Sequence, residues 1–254
     1  FNHWELGNQK KSIGYFQRIA NGYPSSRYLT ESYRYIADYE FSNRRFKASL
    51  EAYQKAARDK NTPTMPKILY GMSWSSYKIG QNKRALDTIV QAIRLSRSTT
   101  EEEAAKRGTS LQNDAYDALV LFYSEAGNPK EAQSFFEKEV GEETAPELLS
   151  KLLSIYQRQG RYAEALTTSK QLESVDSSAR EEGSQQRYEI LANALKLAQQ
   201  KRDPEREQGI LKTLIAEFVQ KDGGEEIREL IRNNLRNSAK QAHKESDKAG
   251  NKKV

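Results

Sequence analysis

The sequence predicts an all-α chain: a solenoid of stacked antiparallel helix pairs. Three observations carry that prediction. A short pattern recurs along the chain: a turn residue, a small residue five positions on, and often an apolar or aromatic residue four positions later. Apolar residues fall three and four apart on both sides of each turn, the spacing of a helix face. The apolar share is 36% and the charged share 30%, a balance suited to an elongated array with much surface per residue.

The turns fall at positions 7, 44, 80, 127 and 160, spaced by 37, 36, 47 and 33 residues. Glycine holds all of them except Arg44. Glycine there suits the left-handed residue that ends a helix. The small residues are Ser12, Ser49, Ala85, Ala132 and Ala165, which let two helices approach closely. Phe16, Tyr53, Ile89 and Phe136 follow four positions later. Before the turns lie further helical patterns: SYRYIADYEF, ILYGMSWSSYKI, AYDALVLFYSEA and LLSKLLSIYQRQ. One helix pair of this size cannot bury its apolar faces alone, so neighbouring pairs must stack.

Over about residues 1–180, in roughly five units, this pattern resembles the tetratricopeptide repeat. The match is close around Leu149, Leu152, Tyr156, Gly160, Tyr162, Ala165 and Leu172. It recurs at Tyr116, Leu119, Tyr123, Gly127, Ala132 and Phe136, and Pro24 closes the first unit where the family often has proline. There are departures: Arg44 replaces the turn glycine, Val120 and Leu153 replace a small residue, and Glu139 stands where an apolar residue is usual. The resemblance implies a right-handed superhelical solenoid. It also implies that the first helices of successive pairs line a concave groove that binds a protein or peptide.

The expected organisation runs as follows. Residues 1–97 form a basic array whose first repeat is truncated, because Trp4 falls near the end of a helix whose beginning is missing. Further repeats are therefore expected before Phe1. Residues 98–110 are an insert, with Thr100 and Glu103 in a capping-box pattern. Residues 111–180 are an acidic pair of repeats. Residues 181–236 hold a divergent helix pair, joined at Arg202–Asp203 with Asp203 as cap and Pro204 at the first helical position, then a capping helix with a stripe of Ile227, Leu230, Ile231 and Leu235. Residues 237–254 are a polar, basic tail expected to be disordered.

Charge changes sign along the chain. Residues 1–97 carry 17 Lys/Arg against seven Asp/Glu, residues 98–227 carry 16 against 25, and residues 228–254 carry eight against three. A basic block, an acidic block and a basic tail bear on partners and permit head-to-tail self-association.

Chemistry is sparse. There is no cysteine, which excludes disulfides, thiolate metal sites and thiol catalysis. The only histidines are His3 and His243, and no phosphate-binding loop or nucleophile elbow appears. The sequence therefore predicts no enzyme, no cofactor, no metal and no small-molecule substrate. The longest apolar run, Ala118–Tyr123, is far too short to span a membrane. The strongly acidic middle disfavours nucleic acid, which the basic block and tail alone would admit.

If the first helices line a groove, the exposed positions of the first three units are rich in rings and cations. The residues predicted to bind a partner are Trp4, Arg34, Phe41, Tyr70, Trp74, Tyr77 and Lys78. Aromatic side chains bury large areas at low entropic cost and make good anchors. The competing reading is that some of these rings pack between neighbouring first helices. The next two units offer mostly acids and small polar groups, among them Asp114, Asp117, Glu125, Glu147 and Ser150. The Lys–Asn–Arg set that some relatives use to clamp a C-terminal carboxylate is not present, and Asp38 stands where that clamp wants an amide.

Two short stretches, Phe16–Ala37 and Tyr70–Leu86, are similar to repeats in bacterial envelope proteins of outer-membrane assembly, the Tol-Pal system and gliding machinery. That similarity implies a periplasmic or outer-membrane-associated adaptor or scaffold. A cytoplasmic regulatory module is the alternative.

Overall fold

The computed structural model describes residues 9–97, 109–175 and 177–219, with residues 228, 229, 231–233, 235, 236, 239, 240 and 243 beyond them. Trp4, most of the 98–110 insert with its Thr100–Glu103 pattern, Ile227, Leu230 and most of the tail lie outside the described residues. The chain divides into two compact units, 1–155 and 156–254.

The described residues are helical, with no strand among them. In chain order the helices are α1 (Gln9–Gly22), α2 (Leu29–Ser42), α3 (Phe46–Ala56), α4 (Met65–Lys78), α5 (Asn82–Arg97) and α6 (Thr109–Ala126). A 3-10 turn (Pro129–Glu131) then leads into α7 (Ala132–Val140). There follow α8 (Ala145–Arg158), α9 (Tyr162–Val175), α10 (Ser177–Lys201) and α11 (Pro204–Leu214), ending in a π turn (Ile215–Val219).

In the first unit each helix packs on its chain neighbour from α1 to α6. Contacts also skip one helix: α2 touches α4, α4 touches α6, and α5 touches α7. Two layers result, first helices side by side and second helices side by side, which is the stacking of helix pairs expected from the repeat. The repeat's small residues sit in the helix crossings: Ser12, Ser49, Ala85, Ala132 and Ala165 are all buried. Ser49 fills its crossing with hydrogen bonds, donating to the Ala37 carbonyl at 2.9 Å and pairing with Ser75 at 2.9 Å. A buried hydroxyl without such partners would be costly. Phe16, Tyr53, Ile89 and Phe136 are likewise buried.

The turns explain the pattern's exceptions. At 44 and 80 the chain turns through a left-handed residue, Arg44 at φ 59° and Gly80 at φ 79°. Each closes the same double hydrogen bond: Arg45 N–H to Glu40 O and Gln81 N–H to Ser76 O, both 2.9 Å, with an inner bond from Arg44 or Gly80. Arg44 thus meets the turn's geometry at a steric cost that glycine would avoid. Position 127 differs. Gly127 is not left-handed; a side chain there would strike the Tyr123 ring, 2.6 Å from an added Cβ. Tyr123 donates instead to the Asn128 carbonyl at 2.7 Å, and Asn128 caps the 3-10 turn.

Glu139, the odd acid of the repeat pattern, is 4% exposed. It is held between α5 and α7 by Arg94, whose Nε donates at 2.7 Å and whose Nη2 donates at 2.5 Å. Arg97 donates to the Glu139 carbonyl at 2.7 Å.

In the second unit Gly160 and Arg202, at φ 68° and 53°, form the same turn as 44 and 80. Arg161 N–H bonds Tyr156 O at 2.8 Å and Asp203 N–H bonds Ala198 O at 3.0 Å. The pair α10–α11 is therefore another helix–turn–helix, although its sequence drifts from the repeat. Asp203 caps α11 through the Arg206 N–H at 3.0 Å, with Pro204 in the first turn. Helix α10 starts earlier than the apolar pattern suggests, because the polar run before Tyr188 continues the helix that packs along α9. Tyr188, Leu191, Leu195, Leu211, Leu214, Phe218 and Ile231 form one core cluster, with Leu235 packed against it. Two of the four residues of the expected capping stripe thus reach the core.

Candidate partner-binding site

The site begins with the spacing of α4. Lys67, Tyr70, Trp74 and Lys78 are three and four residues apart, so they share one stripe of the helix. Opposite them, α2 offers Arg34, Asp38 and Phe41 at the same spacing. Between the two helices is a pocket of about 580 Å³ with Tyr53 of α3 and Gly71 of α4 also in its lining. Four aromatic rings supply most of its apolar wall, and charged groups stand around it. This is the composition of a ligand site: concave, largely apolar, with a few convergent polar groups.

Tyr53 is seated there because Gly71 has no side chain: an added Cβ would sit 2.2 Å from the tyrosine ring. The Tyr53 hydroxyl donates to Asp38 Oδ1. The other Asp38 oxygen accepts from Arg34 Nη1 at 2.9 Å, and Arg34 Nε donates to Glu31 at 2.8 Å. Thr64, just before α4, donates to the second Glu31 oxygen at 2.7 Å. The Arg34 guanidinium also lies 4.1 Å over the Tyr35 ring. One continuous chain of polar contacts thus ties α2, α3 and the start of α4 together. Burial pushes the Asp38 carboxyl above its usual range, against the Tyr53 bond and the Arg34 charge, which favour ionisation. Burial and the adjacent Asp38 push the Tyr53 hydroxyl well up, so it stays a donor. Burial opposes the Arg34 charge, but the bond to Glu31 and the field of Asp38 outweigh it and raise its pKa.

Arg34 therefore lines the pocket with its charge already matched by two carboxylates. The lysines differ. Lys67 and Lys78 are exposed, and no carboxylate among the described residues pairs with either. Lys78 lies over Trp74 at 5.6 Å and Tyr77 at 5.9 Å.

The rings divide their roles. Trp74 lines the pocket and also meets Phe122 of α6 edge-on at 5.1 Å. Tyr77 lies outside the pocket, packed on Phe122 at 4.9 Å and on Trp74 at 5.9 Å. Three residues beyond Trp74, it is turned about 60° round the helix, toward α6. Phe41 lines the pocket and contacts Phe46 at 5.2 Å. Of the seven residues singled out in the sequence, Arg34, Phe41, Tyr70, Trp74 and Lys78 come together, Tyr77 stands aside, and Trp4 is outside the described residues. Lys67 and Asp38, groove-facing positions of the same first helices, join them outside the predicted binding set, whereas Tyr53 and Gly71 join the site without having been singled out. The regular three-and-four spacing to Tyr70 and Trp74 was the available signal for Lys67.

Beside the pocket the first-helix layer turns acidic. Asp114, Asp117, Glu125 and Glu147 are exposed. Burial raises the Tyr70 hydroxyl pKa, with Asp114 and Asp117 adding to it, and burial and Glu125 do the same to Tyr77. Lys151 bridges Asp117 at 2.7 Å and Glu147 at 2.9 Å. Among the described residues there is no group of three His, Asp or Glu placed to hold a metal, and no helix long and apolar enough to cross a membrane.

No family model matches the chain, and no curated protein does. Solved structures do show likeness. Pseudomonas aeruginosa pilF is 17% identical, covers 91% of this chain and 93% of its own, and superposes with a TM-score of 0.42. The C-terminal part of a TPR repeat-containing protein from Cytophaga hutchinsonii is 12% identical, with 89% and 96% covered and a TM-score of 0.39. BtubC from P. vanneervenii is 14% identical, with 82% and 87% covered and a TM-score of 0.37. The chain's own helix packing makes an all-α stack of antiparallel helix pairs.

Proposed function

We propose that this chain is a non-enzymatic scaffold of the tetratricopeptide type that captures a protein or peptide segment in the pocket between α2 and α4. The observation that carries this is the pocket itself: about 580 Å³, walled by Phe41, Tyr53, Tyr70 and Trp74, with the Tyr53 ring seated against Gly71. Among the described residues none around it makes a nucleophile–base pair; its half-buried carboxylate, Asp38, is committed to Tyr53 and Arg34. Binding is the chemistry left. The exposed acids of α6 and α8 offer a neighbouring surface for a basic stretch of the same or another partner. The likeness of Phe16–Ala37 and Tyr70–Leu86 to envelope repeats supports work inside a bacterial cell-envelope assembly, in the periplasm or at the outer membrane.

Gly71→Ala tests the pocket. The added methyl drives the Tyr53 ring off its seat, while alanine favours the helix by about 1 kcal/mol and offsets part of the strain. Partner retained by the immobilised chain from host extract is expected to fall at least tenfold with Gly71→Ala. It is expected to stay unchanged with Gln91→Ala, an exposed site on second helix α5. Equal retention by both variants contradicts the proposal.

A further inference from the structure

We infer that the pocket selects an internal, extended peptide segment in which an apolar or aromatic side chain is flanked on both sides by carboxylates. The inference rests on the binding reading above and specifies its partner.

Four charged residues line the pocket: Arg34, Asp38, Lys67 and Lys78. Arg34 is matched by Asp38 at 2.9 Å and by Glu31 at 2.8 Å, so it offers a ligand little net charge. Asp38 is matched in turn by Arg34 and by the Tyr53 hydroxyl. Lys67 and Lys78 are left, exposed and without a carboxylate partner among the described residues. A pocket that is otherwise neutral thus has two open positive charges.

Their positions define a ruler. Lys67 and Lys78 lie on one stripe of α4, three helical turns and roughly 16 Å apart. Tyr70 and Trp74 stand between them on α4, and Tyr53 shares the same pocket wall. An extended peptide advances roughly 3.3 Å per residue, so 16 Å is about five residues. Long, flexible lysine stems accommodate carboxylates four to five residues apart. Alternate side chains of an extended segment point the same way, so an acid, a central ring two residues on and an acid two further on all face the protein. The central side chain then meets the rings while the two acids meet the lysines. Both pairs form at the exposed rim, where water screens them, so they give selectivity more than raw affinity. Each lysine contacts one flank of the segment, so the recognition needs no chain terminus. The exposed carboxylates Asp114 and Asp117, whose field reaches Tyr70, disfavour further acids on the α6 side.

The test uses three fluorescein-labelled peptides with blocked ends: Gly-Glu-Ala-Phe-Ala-Glu-Gly, its Gln-for-Glu form and its Lys-for-Glu form. Anisotropy titrations are run with the full chain and with Lys67→Gln/Lys78→Gln and Trp74→Ala variants. The acidic peptide is expected to bind the wild-type chain at least tenfold more tightly than the Gln form, and the Lys form to bind weakest. In the double lysine variant the preference for Glu over Gln is expected to fall below twofold. Both lysines are exposed, so that variant keeps its fold, and circular dichroism checks it. Equal binding of the Glu and Gln forms, with dependence on Trp74, overturns the acidic-flank inference and leaves the pocket reading standing. Saturable binding by none of the three peptides, or binding indifferent to Trp74→Ala, overturns both. A preference for Glu that persists in the double lysine variant overturns the assignment to Lys67 and Lys78.

Discussion

Arg94→Ala is expected to destabilise the chain by roughly 3 kcal/mol, because it leaves a buried carboxylate without its partner. Glu139 is 4% exposed, and both of its oxygens are held by Arg94. The Arg94 side chain itself is 56% exposed, so water reaches part of the gap, and the cost lies at the low end for broken buried pairs. For a unit of this size that is a fall in Tm of about 6–12 °C. The effect is on the stacking of α5 against α7, since the bond from Arg97 to the Glu139 carbonyl remains. The decisive comparison is Arg94→Ala/Glu139→Leu. Replacing a buried ion pair with apolar volume is often neutral or stabilising, so the double variant is expected to recover most of the lost Tm. Thermal melts of the three proteins decide it. A single variant that melts like the wild type would show that the pair contributes nothing.

Phe122→Ala is expected to cost about 3–5 kcal/mol, the range for deleting a fully buried phenylalanine. Its ring is 0% exposed and supports both Trp74 at 5.1 Å and Tyr77 at 4.9 Å. Removing it opens a cavity behind the pocket wall, so binding should fall with stability. Phe122→Leu, closer in volume, is expected to cost under about 1.5 kcal/mol. Denaturant unfolding measures the difference, and the emission of Trp74 in a Trp4→Phe background reports the wall directly. This support also governs how ring substitutions are read. Trp74 and Tyr77 are part of the packing between α4 and α6, so removing both lowers stability as well as binding. Lys67 and Lys78, exposed on the rim, separate the two effects.

The fold was legible because its determinants are local. A turn residue, a small residue five on and a ring four later need no knowledge of distant partners, and Gly80, Ala85 and Ile89 behave as their spacing implies. The pocket was legible in part for the same reason: Phe41, Tyr70 and Trp74 share stripes visible in the sequence. What was hidden depends on contacts between repeats. Gly71 reads as a weak point in a helix until the Tyr53 ring, from the preceding repeat, is seen lying across it. Glu139 reads as a misfit until Arg94, 45 residues earlier, is found beside it. Tyr77 reads as a groove residue because its spacing from Trp74 is helical, yet it turns far enough to meet Phe122 instead. The neutralisation of Arg34 was within reach, since Glu31 and Asp38 stand three and four residues away on the same helix, where such pairs form.

The central claim is that a partner segment lies in the pocket between α2 and α4. The most direct measurement places a photo-crosslinking amino acid at position 67, on the pocket rim, or at position 91, on exposed second-helix surface. Each variant is irradiated in the native host and the adduct is mapped by mass spectrometry. The account predicts one dominant adduct from position 67, joined through an internal segment of the partner, and none from position 91. Adducts of equal yield from both positions, or from position 91 alone, would contradict it.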